Sequence, residues 1–250
     1  MSVAVKKVPT VRLDRLLANL GYGSRREVQA LVGAGLVTFD EKILPKADAH
    51  VPVSPALSER MLVEGIPLDP PPPLSLIMHK PLGVVCSHRE PGRSIYALLP
   101  ERWARRVPAI STVGRLDKET SGLLLLTDDG GLLHRIISPK ADIAKRYHVT
   151  LERPLGGDEA GIFASGNMLI EGETKPLLPA MLQIIAPNLC WLTVAEGRYH
   201  QVRRMFEAVG NHVVALHRDR IGALDLPDDL AVGEYRALTA AELELVMSGA

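Results

Sequence analysis

Four consecutive prolines, Pro70 to Pro73, divide this chain of 250 residues. Proline has no backbone donor and a fixed φ, so neither a helix nor a central strand can run through them, and an extended polyproline spacer is expected. The length suits a small module on one side and a larger domain on the other. We read a first domain at 10–68, a proline-rich linker at 69–73 and a second domain at 74–250.

The first domain opens with two helices. Leu13, Leu16, Leu17 and Leu20 recur at helical spacing before Gly21 and Gly23 stop the run. Ser24, followed three positions later by Glu27, is a capping box ahead of the apolar Val28, Leu31 and Val32. Gly33 and Gly35 end the second helix, 36–39 reads as a strand, and Asp40 to Lys42 turn the chain into Ile43. Beyond the prolines, strand-like runs at 74–79, 84–87, 123–127, 147–151, 180–185 and 190–194 alternate with helical patterns at 132–137, 158–164 and 199–209, which predicts a mixed α+β domain.

Several function classes drop out. Hydrophobic residues make up 46% and charged residues 23%, values of a folded globular chain. No run approaches the roughly 20 apolar residues of a membrane helix, and the first ten residues lack a secretory core, so a cytoplasmic protein with no membrane partner is expected. Cys86 and Cys190 belong to no CxxC pair and read as two buried thiols. HExxH, Walker A, GxGxxG and GxSxG are all missing, and the histidines are not at metal-ligand spacing, so neither a metal nor a cofactor is expected.

The 29 basic and 29 acidic residues cancel, yet the charge is segregated. Residues 1–30 hold six basic against two acidic, 79–118 eight against three, and 198–220 five against two, whereas 221–250 hold one against six. Phosphate binding needs local positive potential, so an RNA partner is compatible with a net charge of zero.

The chemistry concentrates at Gly114-Arg115-Leu116-Asp117-Lys118-Glu119-Thr120-Ser121-Gly122, followed by four leucines and Thr127. This places an acid in a loop before a buried strand, with glycines on either side that let a ligand approach the backbone. A loop aspartate by itself more often caps a turn. Tyr147 by spacing alone is a half-buried strand residue. Val202, Met205, Phe206 and Val209 form an apolar helical stripe that sets Arg203 beside the buried edge or in solvent.

Those residues decide the reading together. The 114–127 segment, His79-Lys80-Pro81-Leu82-Gly83, Lys145-Arg146-Tyr147 and Glu196-Gly197-Arg198-Tyr199-His200-Gln201-Val202-Arg203-Arg204-Met205-Phe206 occur in the order found in pseudouridine synthases. The last stretch, continuing through Asn211-His212 and Leu216-His217-Arg218, most resembles the RsuA-type pseudouridine synthase family, bacterial enzymes of small-subunit 16S rRNA. The helix pair with Arg12, Arg15, Arg25 and Arg26 resembles the small RNA-binding domain of ribosomal-protein-S-four type, with Asp40-Glu41-Lys42 where that pattern has Asn-Gly.

The resemblance implies an rRNA pseudouridine synthase with Asp117 as catalytic carboxylate, Tyr147 stacked on a flipped uridine and Arg203 paired with the aspartate. It assigns RNA contacts to Arg12, Arg15, Arg25, Arg26, Arg115, Arg198 and Arg204. Attack on the sugar, attack on the base and removal of the ribose 2′ proton all use one carboxylate, and the sequence does not choose among them. His200, His212 and His217 are read as structural or RNA-contacting residues and left outside the site. The partner expected is 16S rRNA, possibly as a small-subunit assembly intermediate, bound by a monomer. The rival readings are a synthase acting on 23S rRNA and a noncatalytic ribosome-assembly factor.

Overall fold

A computed structural model describes residues 8–54, 56–87, 90–138 and 141–248. The chain forms two compact units. One runs through Leu74 and takes in Leu99–Ser111; the other comprises Ser75–Leu98 and the chain from Thr112 onward.

In the first unit, β1 (Thr10–Arg12) leads into α1 (Leu13–Asn19), α2 (Arg25–Gly33), β2 (Val37–Phe39), β3 (Lys42–Ile43), β4 (His50–Pro52), α3 (Leu57–Arg60), β5 (Met61–Val63) and β6 (Ile66–Pro67). The small sheet runs β3-β2-β5-β6, and β1 pairs separately with β4. Leu13, Leu16, Leu17, Leu20, Val28 and Val32 fill its core, as the helical spacing requires. The capping box forms in both directions: the Ser24 amide donates to Glu27 Oε2 at 2.7 Å, and the Glu27 amide to Ser24 Oγ. At the β2–β3 turn both Asp40 (φ 48°) and Glu41 (φ 64°) are left-handed, and Arg60 grips the Asp40 carboxylate with two hydrogen bonds.

Residues 99–111, read from sequence with the second domain, pack here instead. Their 3-10 turn at Glu101–Arg105 places Arg102 Nη2 2.6 Å from Asp69 Oδ1. Arg106 donates to Pro70 O at 2.9 Å, and the Val107 amide to Asn19 O at 2.8 Å. Gly21 makes this possible: at φ +91° a β-carbon there would lie 2.2 Å from the Arg102 carbonyl oxygen.

The second unit contains β7 (Ser75–Lys80), β9 (Thr120–Thr127), α4 (Gly130–Ile137), β10 (Lys145–Leu151), α5 (Glu159–Ala164), β11 (Met181–Ala186), β12 (Leu189–Val194), α6 (Gln201–Ala208), β13 (Val213–Ile221), β14 (Leu224–Asp225), β15 (Tyr235–Ala237) and α7 (Ala240–Met247); the two-residue β8 (Ser111–Thr112) precedes β9. The sheet runs β11-β12-β10-β13-β9-β7-β15, antiparallel except for the parallel β9–β13 pair. Leu123 to Leu126 are at most 1% exposed, so β9 is buried on both faces, as an unbroken apolar run in a central strand should be.

One expected strand does not form. Around 84–87 there is only an isolated bridge from Val85 to Ser94, because the Val85 amide and carbonyl are spent on Arg93 and Ile95. Cys86 and Cys190 are buried and unpaired, as expected.

Candidate active site

A single row of strand register crosses the sheet through Lys80, Gly122, Arg218 and Tyr147. It brings together residues far apart in sequence, and the loop from Gly114 to Glu119 sits at its head. Beside it lies a cavity of about 400 Å³, lined among others by Arg115, Asp117, Lys145, Tyr147, His200 and Arg218. That volume suits a nucleotide-sized ligand.

The loop is held from below by Lys80. Its side chain is 0% exposed, and Nζ donates to Thr120 O at 2.8 Å, Asp117 O at 3.0 Å and Pro81 O at 3.1 Å, with Lys118 O at 3.5 Å. Burial pushes its pKa below the ordinary lysine value. The Gly83 amide adds a bond to Lys118 O, and the Thr120 amide closes a turn on Asp117 O. The backbone on both sides of the carboxylate is thereby fixed.

Lys80→Met should therefore act on both stability and chemistry. It keeps the volume but strips the buried Thr120 carbonyl and the part-buried Asp117 and Pro81 carbonyls of their donor, at a cost of about 2–4 kcal/mol and a fall in Tm of about 5–15 °C. A loop displaced by about 1 Å should lower turnover about 100-fold below 37 °C, where the variant stays folded. Calorimetry with single-turnover kinetics checks both, and unchanged turnover would show that the clasp does not position Asp117.

Asp117 keeps 26% of its side chain exposed to the cavity, and Oδ1 lies 3.4 Å from His200 Nε2. His200 caps α6 in a left-handed conformation at φ 49°, an uncommon choice for a residue with a side chain. Its ring stacks on Tyr199 with centroids 3.9 Å apart, and Tyr199 is 67% exposed. Sequence reasoning left His200 out; its position at the start of an amphipathic helix, three residues before Arg203, was the available signal. His217 instead bonds Ser121 Oγ at 2.9 Å, within the sheet.

Arg203 reaches the loop differently from expectation. Its guanidinium donates to Glu119 O and Val213 O, both at 3.0 Å, and no ion pair with Asp117 forms among the described residues. The helix stripe turns Arg203 toward these two backbone carbonyls, one of them in the Asp117 loop.

The expected RNA-contacting arginines divide in the same way. Arg198 is bound by Glu196, Glu173, Lys175 O and Pro176 O, and Arg204 by Glu173, Tyr199 O and Glu171 O. These two tie α6 to the preceding loop. Arg115 pairs with Glu90 at 3.3 Å, and Arg12 with Asp14 at 2.8 Å. Arg15, Arg25 and Arg26 are exposed and form no ion pair with any described residue.

Comparison with known proteins follows the same residues. Positions 75–208 match the RNA pseudouridylate synthase family. The chain is 43% identical to ribosomal small subunit pseudouridine synthase A of Yersinia pestis, covering 94% of this chain and 98% of that protein. It is 42% identical to the protein of the same name from Escherichia coli K12, covering 95% and 100%. The uncharacterized RNA pseudouridine synthase YtzG of Bacillus subtilis is also 42% identical, over 94% and 98%. A crystal structure of a pseudouridylate synthase aligns over 94% of this chain and 99% of its own, with a TM-score of 0.66 and 35% identity.

Proposed function

This chain belongs to the RNA pseudouridylate synthase family, and from that membership we propose that it isomerises one uridine of 16S ribosomal RNA to pseudouridine. The observation that carries the reading is the placement of the Asp117 carboxylate and the Tyr147 ring on one cavity of nucleotide size. A target uridine within folded RNA must be extruded at a cost of a few kcal/mol, and an aromatic face replaces its lost stacking. Tyr147 serves as that face, and Asp117 supplies the carboxylate that detaches uracil from the ribose. Arg203 holds the Asp117 loop through Glu119 O, and His200 orients the carboxylate.

The small-subunit substrate is supported by near-full-length likeness to two proteins named for it. Tritium release from RNA labelled at uridine C5 tests the reading on protein-depleted small- and large-subunit rRNA. Release from small-subunit RNA alone is expected; release from large-subunit RNA alone would reassign the substrate, and none from either would remove the enzymatic reading. We place the enzyme in the cytoplasm as a monomer acting on rRNA or on an assembly intermediate.

The first unit we take as an RNA-binding module of ribosomal-protein-S-four type, in which α1 and α2 present Arg15, Arg25 and Arg26 to phosphates. Because Leu99–Ser111 packs within that unit, deletion of residues 1–68 would strip part of its own fold. Charge removal is the cleaner test. Arg25→Ala with Arg26→Ala should reduce the slope of log K against log salt by about 1.4 to 1.8 while the rate at saturating RNA is kept. Titrations between 50 and 200 mM salt measure it, and an unchanged slope would remove these arginines from the interface.

A further inference from the structure

Among the cations lining the cavity, Lys145, Arg203 and Arg218 have no carboxylate within 4 Å among the described residues, and Arg203 is engaged by the Glu119 and Val213 carbonyls. Lys145 and Tyr147 are two residues apart on β10 and so share a face, and Arg218 stands opposite Tyr147 in the β10–β13 register. Arg218 is 3% exposed; Nε donates to Leu123 O at 2.9 Å, Nη1 lies 3.5 Å from the Tyr147 hydroxyl, and Nη2 has no hydrogen-bond partner. The Lys145 ammonium makes no hydrogen bond or ion pair with any described residue. Burial and the neighbouring Arg218 push its pKa down to about 8, against a weaker opposing pull from Asp142. Arg115, Asp117, Glu196, Arg198, His200 and Arg203 make up the rest of the charged and titratable lining.

A buried cation beside a half-buried one is costly unless something anionic completes the pair. A backbone phosphate is the wrong anion, since it would stay at the rim of the cavity and Arg218 does not reach the surface. The isomerisation itself supplies a better one. When the bond from N1 to C1′ breaks, its electron pair leaves with the base, and the detached uracil is an anion with charge spread over N1 and both carbonyl oxygens. After the ring turns, C5 donates a pair to C1′, loses its proton to a base, and N1 regains one, so atoms and charge balance without an oxidant or co-reactant.

We propose that Lys145 and Arg218 form the leaving-group subsite of this cavity, holding uracil as an anion between its release from N1 and its capture through C5. This rests on the uridine-isomerase reading above. Fixed positive charge placed where negative charge develops is worth most in a site shielded from water.

The test uses the full chain and small-subunit rRNA transcribed with uridine or with 5-fluorouridine, following loss of the N1-linked nucleoside at the target position under single-turnover conditions; on 5-fluorouridine RNA C5 carries fluorine and has no proton to lose, so the C5-linked ring takes up water across its C6–N1 double bond instead. Arg218→Met and Lys145→Met should each slow transfer of uridine about 10²–10³-fold, with RNA affinity held within about twofold. Fluorine withdraws electrons and stabilises the departing anion, so the loss on 5-fluorouridine RNA should be about tenfold smaller. Arg218→Lys, which keeps the charge, should outperform Arg218→Met.

With Lys145 protonated below about pH 8 and neutral above it, the native rate should fall as pH rises through that value, and Lys145→Met should lack this limb. Equal losses on both RNAs, or affinity falling in step with rate, would overturn the proposal. If Arg218→Met does not fold, Lys145→Met, at a half-buried position, carries the same comparison. Absence of transfer by the native protein would sink the isomerase reading itself, which is a separate result.

Discussion

Asp117→Asn should lower pseudouridine formation by at least about 10⁴-fold while leaving RNA affinity and Tm close to native. The substitution keeps the size and a hydrogen-bonding oxygen opposite His200 but removes the negative charge and the proton acceptor. Attack on the ribose, attack on the base and abstraction of the 2′ proton each need one or the other, so every route fails together. The fold has no comparable stake in the carboxylate: the loop is held by its backbone carbonyls on Lys80, and the Asp117 side chain is open to the cavity. Tritium release with parallel filter binding measures both quantities. Activity above about 1% of native would mean that the carboxylate is auxiliary. His200→Ala, which removes only an orienting contact, should cost about tenfold, and a loss equal to that of Asp117→Asn would make the histidine part of the chemistry.

How far the sequence was legible depends on the range of the interaction. The capping box at Ser24 and the leucine spacings of α1 are local devices, and they appear where the pattern places them. The Thr239–Glu242 capping box that starts α7 carries the same signature and could have been read. β13 was harder. It carries His217, Arg218, Asp219 and Arg220 in succession, a polar stretch that becomes a central strand because its neighbours satisfy those groups: Leu123 O and Tyr147 for Arg218, Arg146 for Asp219. The transfer of residues 99–111 to the first unit is likewise invisible locally, since it depends on a glycine some 80 residues away accepting a carbonyl at close range.

The site followed the same division. Asp117 and Tyr147 belong to dense local motifs and line one cavity. The partner expected for Asp117 was a matter of side-chain reach, and there geometry chose His200 and sent Arg203 to two carbonyls. Arg198 and Arg204 show why a count of basic residues overstates an RNA surface: acidic residues at 173 and 196 and the intervening carbonyls already absorb their donors. Arg15, Arg25 and Arg26 retain theirs, which is why the salt-slope experiment is aimed at the helix pair.

Gly122→Ala is the substitution expected to cost the fold most. Gly122 has φ +111°, a conformation that side chains rarely adopt, and a β-carbon there would lie 2.1 Å from Arg218 O and 2.8 Å from Arg218 N. Both atoms are backbone, so no side chain can swing aside. Relief requires β9 and β13 to separate along their parallel pairing, in the row that also holds Lys80 and Tyr147. We expect a loss of more than about 4 kcal/mol, the range of a buried backbone clash, seen as little folded protein or a Tm fall above about 10 °C. Whatever folded fraction survives should have low turnover, because the strand that would move carries the Asp117 loop at one end and sits beside Arg218, the proposed floor of the leaving-group subsite. Gly114→Ala is the matched control: it too has positive φ, +71°, but its β-carbon meets nothing within 4 Å. Only backbone strain then remains, about 1–2 kcal/mol. Equal instability in the two variants, read by thermal unfolding, would mean that strain rather than the β9–β13 approach explains the glycine at 122.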